Sequence, residues 1–476
     1  MLKKMSYAAF CLFIFNSLIA QAQISEKAIH FKEVGKIASF PWAPGRYSNV
    51  NNNFKYDVFY YVPEKLQNKS DSSALIFMHG GGASTMDRAG SIDVVKVYLR
   101  DFVKLADELG FILVMPSANG LNWGAHTRGL LRDLGDLMRK ELLIDPNKLG
   151  VSGHSMGAMG ITRAYNWVAD EFSFFMPLAG GMDLGAPTTD PEINKKIEYT
   201  LNKSFNISYT HIQGLNDHFK IFVAKCQDQL KRTKELESKY KVKSKLDMIF
   251  FSGGHNYDYS LVKTNLSKLL NVSRDLYQKE LWGTTHTVQK TVTENAIAFD
   301  YDQESRYFWV EVLESDTSVD ERFYFHAKIV DNKITIDSER LPLKSKKLRI
   351  YLHRSMVDFS SDVKVFLNGK LVATRLAGAG TLRNYDLRDP AFIFEDHLDI
   401  ALPNTENVIP SIKVLPNKTE VNPLEKISKD DVVKVNLEEK KPALKSDLKK
   451  NSTTEILKKK KKGLNGRFKK VYKKNS

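Results

Sequence analysis

Cysteine is almost absent from this chain of 476 residues, which has two, Cys11 and Cys226. Cys11 falls in the apolar stretch Ala8 to Ala20, after the basic start Met1-Leu2-Lys3-Lys4 and before the small-x-small pattern Ala20-Gln21-Ala22. A charged start, a short apolar middle and a small-residue site read as a signal peptide over residues 1–22. Phe10 precedes Cys11 where a lipid-attachment site would place a small residue. Removal of the leader leaves Cys226 alone, which excludes an intrachain disulfide and makes the leader the sole basis for expecting export to the periplasm or beyond. Stability must then come from buried cores. Long apolar runs are also missing: a span needs about 20 residues, so a retained anchor is the alternative reading of the leader, and no span is expected after it. There is no H-E-x-x-H pattern and no clustered Cys/His spacing, so neither metal nor cofactor is expected. No internal repeat is visible that would build a gating propeller.

Charge is present but localised. The formal net charge is +15. Ser411 to Ser476 holds nineteen Lys and one Arg against eight acidic residues, a net of +12, and Lys3 and Lys4 carry two more, so Met5 to Pro410 stands at +1. The near-neutral body argues against specific nucleic-acid binding. The Lys-rich end, with its run Lys458 to Lys462 and little apolar patterning, reads as a disordered tail over residues 406–476. It is either a solvated extension or a contact for an anionic cell surface or polymer.

From Phe54 to about Leu270, apolar runs alternate with helical patterns. Strands are expected at Asp57–Val62, Ala74–Met78, Phe111–Met115, Lys148–Ser152, Phe172–Leu178, Ile207–Ile212 and Met248–Phe251, with helices at Asp101–Leu109, Leu131–Leu142, Ala158–Val168 and Phe219–Tyr240 between them. Near-continuous apolar strands separated by helices imply an α/β fold with a mostly parallel, doubly covered sheet. After Trp282 the period falls to two, and Asn368-Gly369 between two alternating runs signals a hairpin. The organisation expected is a catalytic domain over 23–282, an all-β sandwich-like domain over 283–405 and the tail.

Gly153-His154-Ser155-Met156-Gly157 follows an apolar strand and opens a helix. In that setting G-x-S-x-G places the serine on a tight strand-to-helix turn, where the glycines avoid collision with neighbouring backbone. A serine hydroxyl is a weak nucleophile and needs a base with a carboxylate to orient it. Candidates occur in the chain order such a sheet requires: Asp217 in Gly214-Leu215-Asn216-Asp217-His218, and His255 in Ser252-Gly253-Gly254-His255. Asp183 is a rival acid, and His211 and His218 are rival bases, the first lying within a strand and the second at a helix start. Oxyanion donors are expected from the amide of Met156 and from His79-Gly80-Gly81-Gly82, with Gly81 favoured and Gly80 next. Trp123 and His126 either line a pocket or pack as ordinary residues.

Phe77 to His79 with its glycines, Pro116 to Gly120 followed by Trp123, Ile144 to Lys148 leading into the turn, and Gly253-Gly254-His255 together resemble the secreted esterases related to polyhydroxybutyrate depolymerases and feruloyl esterases, over roughly Phe54 to Leu270. The prolyl-oligopeptidase-like hydrolases share that catalytic core. The resemblance implies an α/β-hydrolase that cleaves carboxylic esters, including acyl groups on polysaccharides. The missing disulfides depart from many extracellular members. A peptidase, and a binding protein with a vestigial hydrolase core, are the competing readings.

Overall fold

The computed structural model describes residues 34–42, 56–67, 71–81, 87–120, 127–142, 144–182, 190–287, 306–315, 321–338, 345–378 and 394–402, with positions 69, 85, 123, 124 and 184 between them and residue 68 and 143 among the gaps. The leader and the Lys-rich tail lie outside the described residues.

The strands of the first half form one sheet of eight: β1 (Ile37–Trp42), β2 (Tyr56–Tyr61), β3 (Ser72–Met78), β4 (Phe111–Pro116), β5 (Ile144–His154), β6 (Phe174–Leu178), β7 (Ser208–Gly214) and β8 (Leu246–Phe251). Their spatial order is β1-β2-β4-β3-β5-β6-β7-β8. β1 and β2 run antiparallel to their neighbours and the rest are parallel. β3, β4 and β6 carry almost no exposed residue, as strands covered on both faces must. Helices α1 (Arg88–Leu109), α2 (Thr127–Glu141), α3 (Met156–Val168), α4 (Pro191–Asn202), α5 (Lys220–Tyr240) and α6 (Tyr259–Leu269) connect them. This is the α/β-hydrolase architecture, a mostly parallel sheet with the strands numbered one, two, four, three across its leading edge.

The helices follow their sequences. In α5 the buried positions are Phe222, Val223, Cys226, Gln229, Thr233 and Leu236, a spacing of three and four that keeps one face on the sheet. Asp87 caps α1 by accepting from the Gly90 amide at 2.6 Å, and Gly110 closes that helix with φ +79°. α1 begins well before the expected Asp101, and α4 and α6 were not expected. Their apolar positions are sparser, and tertiary packing rather than strong periodicity supports them.

The second half builds two further sheets, with β9 (Glu280–Thr287), β10 (Arg306–Tyr307), β11 (Val310–Ser315), β12 (Glu321–Val330), β13 (Lys333–Asp337), β14 (Ser345–Leu352), β15 (Val363–Leu367), β16 (Lys370–Arg375) and β17 (Asp396–Ala401). One sheet runs β10-β11-β14-β17 and the other β16-β15-β13-β12-β9. Alternate residues point inward: Phe323, Phe325, Ala327 and Ile329 from β12 share a core with Val310, Val312, Leu348 and Ile350. Asn368 (φ 49°) and Gly369 (φ +79°) make the tight turn between β15 and β16, and Asp331 (φ 51°) opens the one between β12 and β13.

Both halves pack into the same hydrophobic core. Tyr307, Phe308 and Trp309 are buried in one cluster with Tyr165, Phe175 and Tyr209 of the first half. Trp282 on β9 lies 4.3 Å, ring to ring, from Tyr240 and stacks on His326 at 3.9 Å. The Phe308 amide donates to Asp170 Oδ2 at 3.0 Å, and the Asn206 side chain donates to the Glu280 carbonyl at 2.8 Å. Among the described residues no helix is long and apolar enough to cross a membrane.

Candidate active site

Parallel pairing brings the chemistry to one edge of the sheet. Phe77 lies opposite Ser152 and Met78 opposite Gly153, so the loop after β3 emerges beside the turn after β5. Gly214 lies opposite Phe251, so the loops after β7 and β8 leave together.

Ser155 sits between β5 and α3 with φ 54° and ψ −113°, a conformation that costs a non-glycine residue about 1–3 kcal/mol. The surrounding turn holds it there. The Ser155 amide donates to the Leu178 carbonyl at 2.9 Å, and its carbonyl accepts from Met159 at 3.0 Å. A Cβ on Gly153 would come within 2.8 Å of the Gly157 carbonyl carbon, and one on Gly157 would overlap the Met78 carbonyl oxygen. Both glycines are therefore required by backbone crowding.

Ser155, His255 and Asp217 form one hydrogen-bonded chain. His255 Nε2 lies 2.8 Å from Ser155 Oγ, and His255 Nδ1 lies 2.8 Å from Asp217 Oδ2. A carboxylate oxygen can only accept, so Nδ1 carries the proton and Nε2 presents its lone pair to the serine hydroxyl. Asp217 is fully buried. Burial opposes its ionisation, but the hydrogen bonds from His255, the Phe219 amide and Gln213 together outweigh it and hold the carboxyl below its ordinary range. The Phe219 amide reaches Oδ1 at 2.8 Å and Gln213 Nε2 reaches Oδ2 at 2.9 Å.

Neither rival base joins this chain of hydrogen bonds at the serine. His211 is buried on β7, with Cys226 Sγ 3.4 Å from its Nε2, and burial pushes its pKa down to about 3. The His218 side chain is two-thirds exposed and lies 3.8 Å from Asp217 Oδ1. Asp183, His126 and Gly82 lie outside the described residues.

The candidate oxyanion donors are oriented by helix geometry on one side and a histidine on the other. Met156 is the first residue of α3, so its amide has no acceptor within the helix and adds to the positive end of the helix dipole. On the β3 side His79 is buried, and its Nε2 accepts from the Ala118 amide at 2.9 Å. That fixes the proton on Nδ1, which donates to the Gly80 carbonyl at 2.6 Å. Burial holds His79 neutral, its pKa pushed down to about 4. Across a trans peptide the Gly81 N–H points opposite to the Gly80 carbonyl, and so away from His79. The Tyr98 hydroxyl lies against the Gly80 backbone, and Gly81 is the candidate donor on this side.

Trp123, a candidate pocket residue, is 1 % exposed, and its indole N–H donates to the His79 carbonyl at 2.9 Å. It packs under the oxyanion loop instead of facing a ligand. The surroundings of His255 are apolar and aromatic: Phe219, 45 % exposed, meets its ring edge-on at 4.8 Å, and Phe222 stacks at 5.8 Å. Gln213 and His79 act on the site without a sequence signal, because a polar residue inside or just after an apolar strand has no distinctive spacing.

No family model and no curated protein matches the chain. Solved structures do resemble it, at low identity. It is similar to a poly(3-hydroxybutyrate) depolymerase from Bordetella parapertussis, with 14% identity and a TM-score of 0.39 over 51% of this chain and 92% of that one. It is similar to a fluorophosphonate-binding serine hydrolase from Staphylococcus aureus, with 15% identity and a TM-score of 0.37 over 50% of this chain and 99% of that one. It is also similar to a ferulic acid esterase, with 14% identity and a TM-score of 0.36 over 49% of this chain and 97% of that one.

Proposed function

We propose that the protein is an exported serine hydrolase that cleaves carboxylic esters through an acyl-enzyme on Ser155. The observation that carries this reading is the hydrogen-bonded chain from Ser155 through His255 to a buried, ionised Asp217; the amides of Met156 and Gly81 are the proposed oxyanion donors beside it.

Ser155 Oγ attacks the acyl carbonyl as its proton passes to His255 Nε2, and Asp217 stabilises the resulting imidazolium through Nδ1–H. The carbonyl oxygen gains the negative charge, which the two backbone amides accept. When the intermediate collapses, the C–O bond to the alcohol breaks and His255 returns the proton to the leaving oxygen. Water then attacks the acyl-enzyme by the same proton route and releases the acid. The exposed Phe219 beside His255 favours a substrate with an apolar or aromatic portion, and esters attached to polysaccharides or polymers fit that description. Export rests on the leader over residues 1–22.

Labelling with a fluorophosphonate probe tests the reading. Wild type is expected to add one probe at Ser155 and Ser155→Ala none; a folded wild type that takes no probe overturns it. A panel of aryl acetates, feruloyl esters, acetylated xylan and peptide amides then separates esterase from peptidase. Mass determination of the exported protein is expected to show Gln23 as its first residue.

A further inference from the structure

His154, the variable position of the serine turn, is buried and touches neither Ser155 Oγ nor Asp217 in the chain described above. Its Nε2 lies 2.7 Å from the main-chain carbonyl of His255, and its Nδ1 lies 2.6 Å from the Tyr98 hydroxyl. A carbonyl can only accept, so Nε2 carries the proton and Nδ1 accepts from the tyrosine. The Tyr98 hydroxyl in turn lies against the Gly80 backbone. A Cβ on Gly80 would come within 2.5 Å of the Tyr98 hydroxyl and 3.0 Å of His154 Nδ1, so the loop after β3 approaches helix α1 and the serine turn as closely as glycine allows.

One relay therefore runs from Tyr98 O–H, packed against Gly80, to His154 Nδ1, and from His154 Nε2–H to the carbonyl of His255. It connects the oxyanion loop after β3, helix α1, the serine turn after β5 and the base loop after β8. Such a tie is needed where the base loop is weakest. His255 follows Gly253 and Gly254, the most conformationally free residues a chain can have, and among the described residues it is His154 that holds the main-chain carbonyl of His255. Rings close the space around it: Tyr257 meets His154 edge-on at 5.5 Å, Tyr98 and Tyr257 stack at 6.2 Å, and the His255 ring lies 5.2 Å away. Tyr257 is held in its turn by Asp101 Oδ2 at 2.9 Å.

We propose that His154 is a positioning residue for the hydrolysis inferred above: it registers the base loop against the oxyanion loop, so that His255 Nε2 and the Gly81 amide address the same acyl carbonyl. This rests on the hydrolase reading. The relay is expected to act on kcat and to leave KM nearly alone, since it touches no substrate.

The experiment compares wild type, His154→Ala, His154→Gln, Tyr98→Phe and the His154→Ala/Tyr98→Phe double variant on an aryl acetate, with folding followed by near-UV circular dichroism. A misplacement of about 1 Å costs on the order of 10²-fold in rate, so His154→Ala is expected to lose about that factor in kcat with KM within about twofold. His154→Gln, which keeps a donor for the His255 carbonyl, is expected to regain about tenfold. Tyr98→Phe preserves the ring and should fold even if His154→Ala does not; it is expected to lose about tenfold in kcat, and the double variant should be no slower than His154→Ala, because the two act in series. The low-field proton resonance of His255 Nδ1–H, read without substrate, should broaden in His154→Ala and in Tyr98→Phe. Unchanged kcat and an unchanged resonance in folded Tyr98→Phe overturn the proposal, as do losses that multiply in the double variant. Failure of the hydrolase reading is distinct: it appears as a wild type with no turnover and no probe uptake, whatever the resonance shows.

Discussion

Asp217 keeps its charge inside the protein because three donors meet it there, His255, the Phe219 amide and Gln213. Asp217→Asn removes the charge and favours the wrong imidazole tautomer, so kcat is expected to fall on the order of 10⁴-fold with the fold retained; steady-state kinetics beside a circular-dichroism spectrum checks both. Gln213→Leu removes one charge-assisted hydrogen bond, worth about 1.5–3 kcal/mol, and should cost about tenfold or more in the same assay. Among the described residues, three buried histidines contribute to the acid limb of stability. Burial lowers His79 and His154 to about 4 and His211 to about 3, against about 6.5 in the unfolded chain. Their folded values lie below the unfolded one, so the unfolded state binds more protons between those limits and stability falls as pH drops from about 6.5 toward 4. Each histidine adds up to about 1.4 kcal/mol per pH unit to that slope. Urea denaturation at pH 7, 6 and 5 should show a proton uptake on unfolding, from these histidines, that rises to about three near pH 5, and the uptake at pH 5 should drop by about one in His211→Phe.

At the scale of elements, the strand-turn-helix unit of β5 and α3 depends on backbone clearance more than on side-chain attraction. Gly157→Ala would drive a methyl into the Met78 carbonyl oxygen, and neither partner is a flexible side chain that can move aside. The unit must open, at a cost of about 3 kcal/mol or more, and the melting temperature is expected to fall by several degrees while probe labelling at Ser155 is lost. The motif was legible in the sequence because these crowding demands are local and leave glycines at fixed spacing. The neighbouring oxyanion loop was only half legible. Gly81 faces the site for a reason the sequence hides: His79, Ala118 and Trp123 come from three segments and orient one peptide.

At the scale of the whole molecule, the sequence suggests a catalytic unit ending near Trp282 and a separable β-domain, whereas the structure runs one core through both. The Phe308 amide donates to Asp170, Tyr199 stacks on Tyr324 and the Lys203 ammonium lies over the Tyr307 ring across that boundary, and Trp282 packs between Tyr240 and His326. A fragment ending at residue 282 would expose Tyr165, Tyr209 and Trp282 with their neighbours. It is expected to express poorly or to bind the dye ANS with a lost near-UV spectrum, in contrast to a chain ending after Pro410, which keeps every described element.

The alternation of strands and helices, the serine turn and the chain order of Ser155, Asp217 and His255 are properties of the sequence, because secondary-structure period and backbone crowding act over a few residues. The choice of Asp217 and His255 among their rivals, the direction of the Gly81 amide, the burial of Trp123 and the tie from His154 to the base loop belong to the tertiary structure. Each depends on segments 38 or more residues apart being brought to the same sheet edge, and only the pairing of parallel strands sets which atoms meet there.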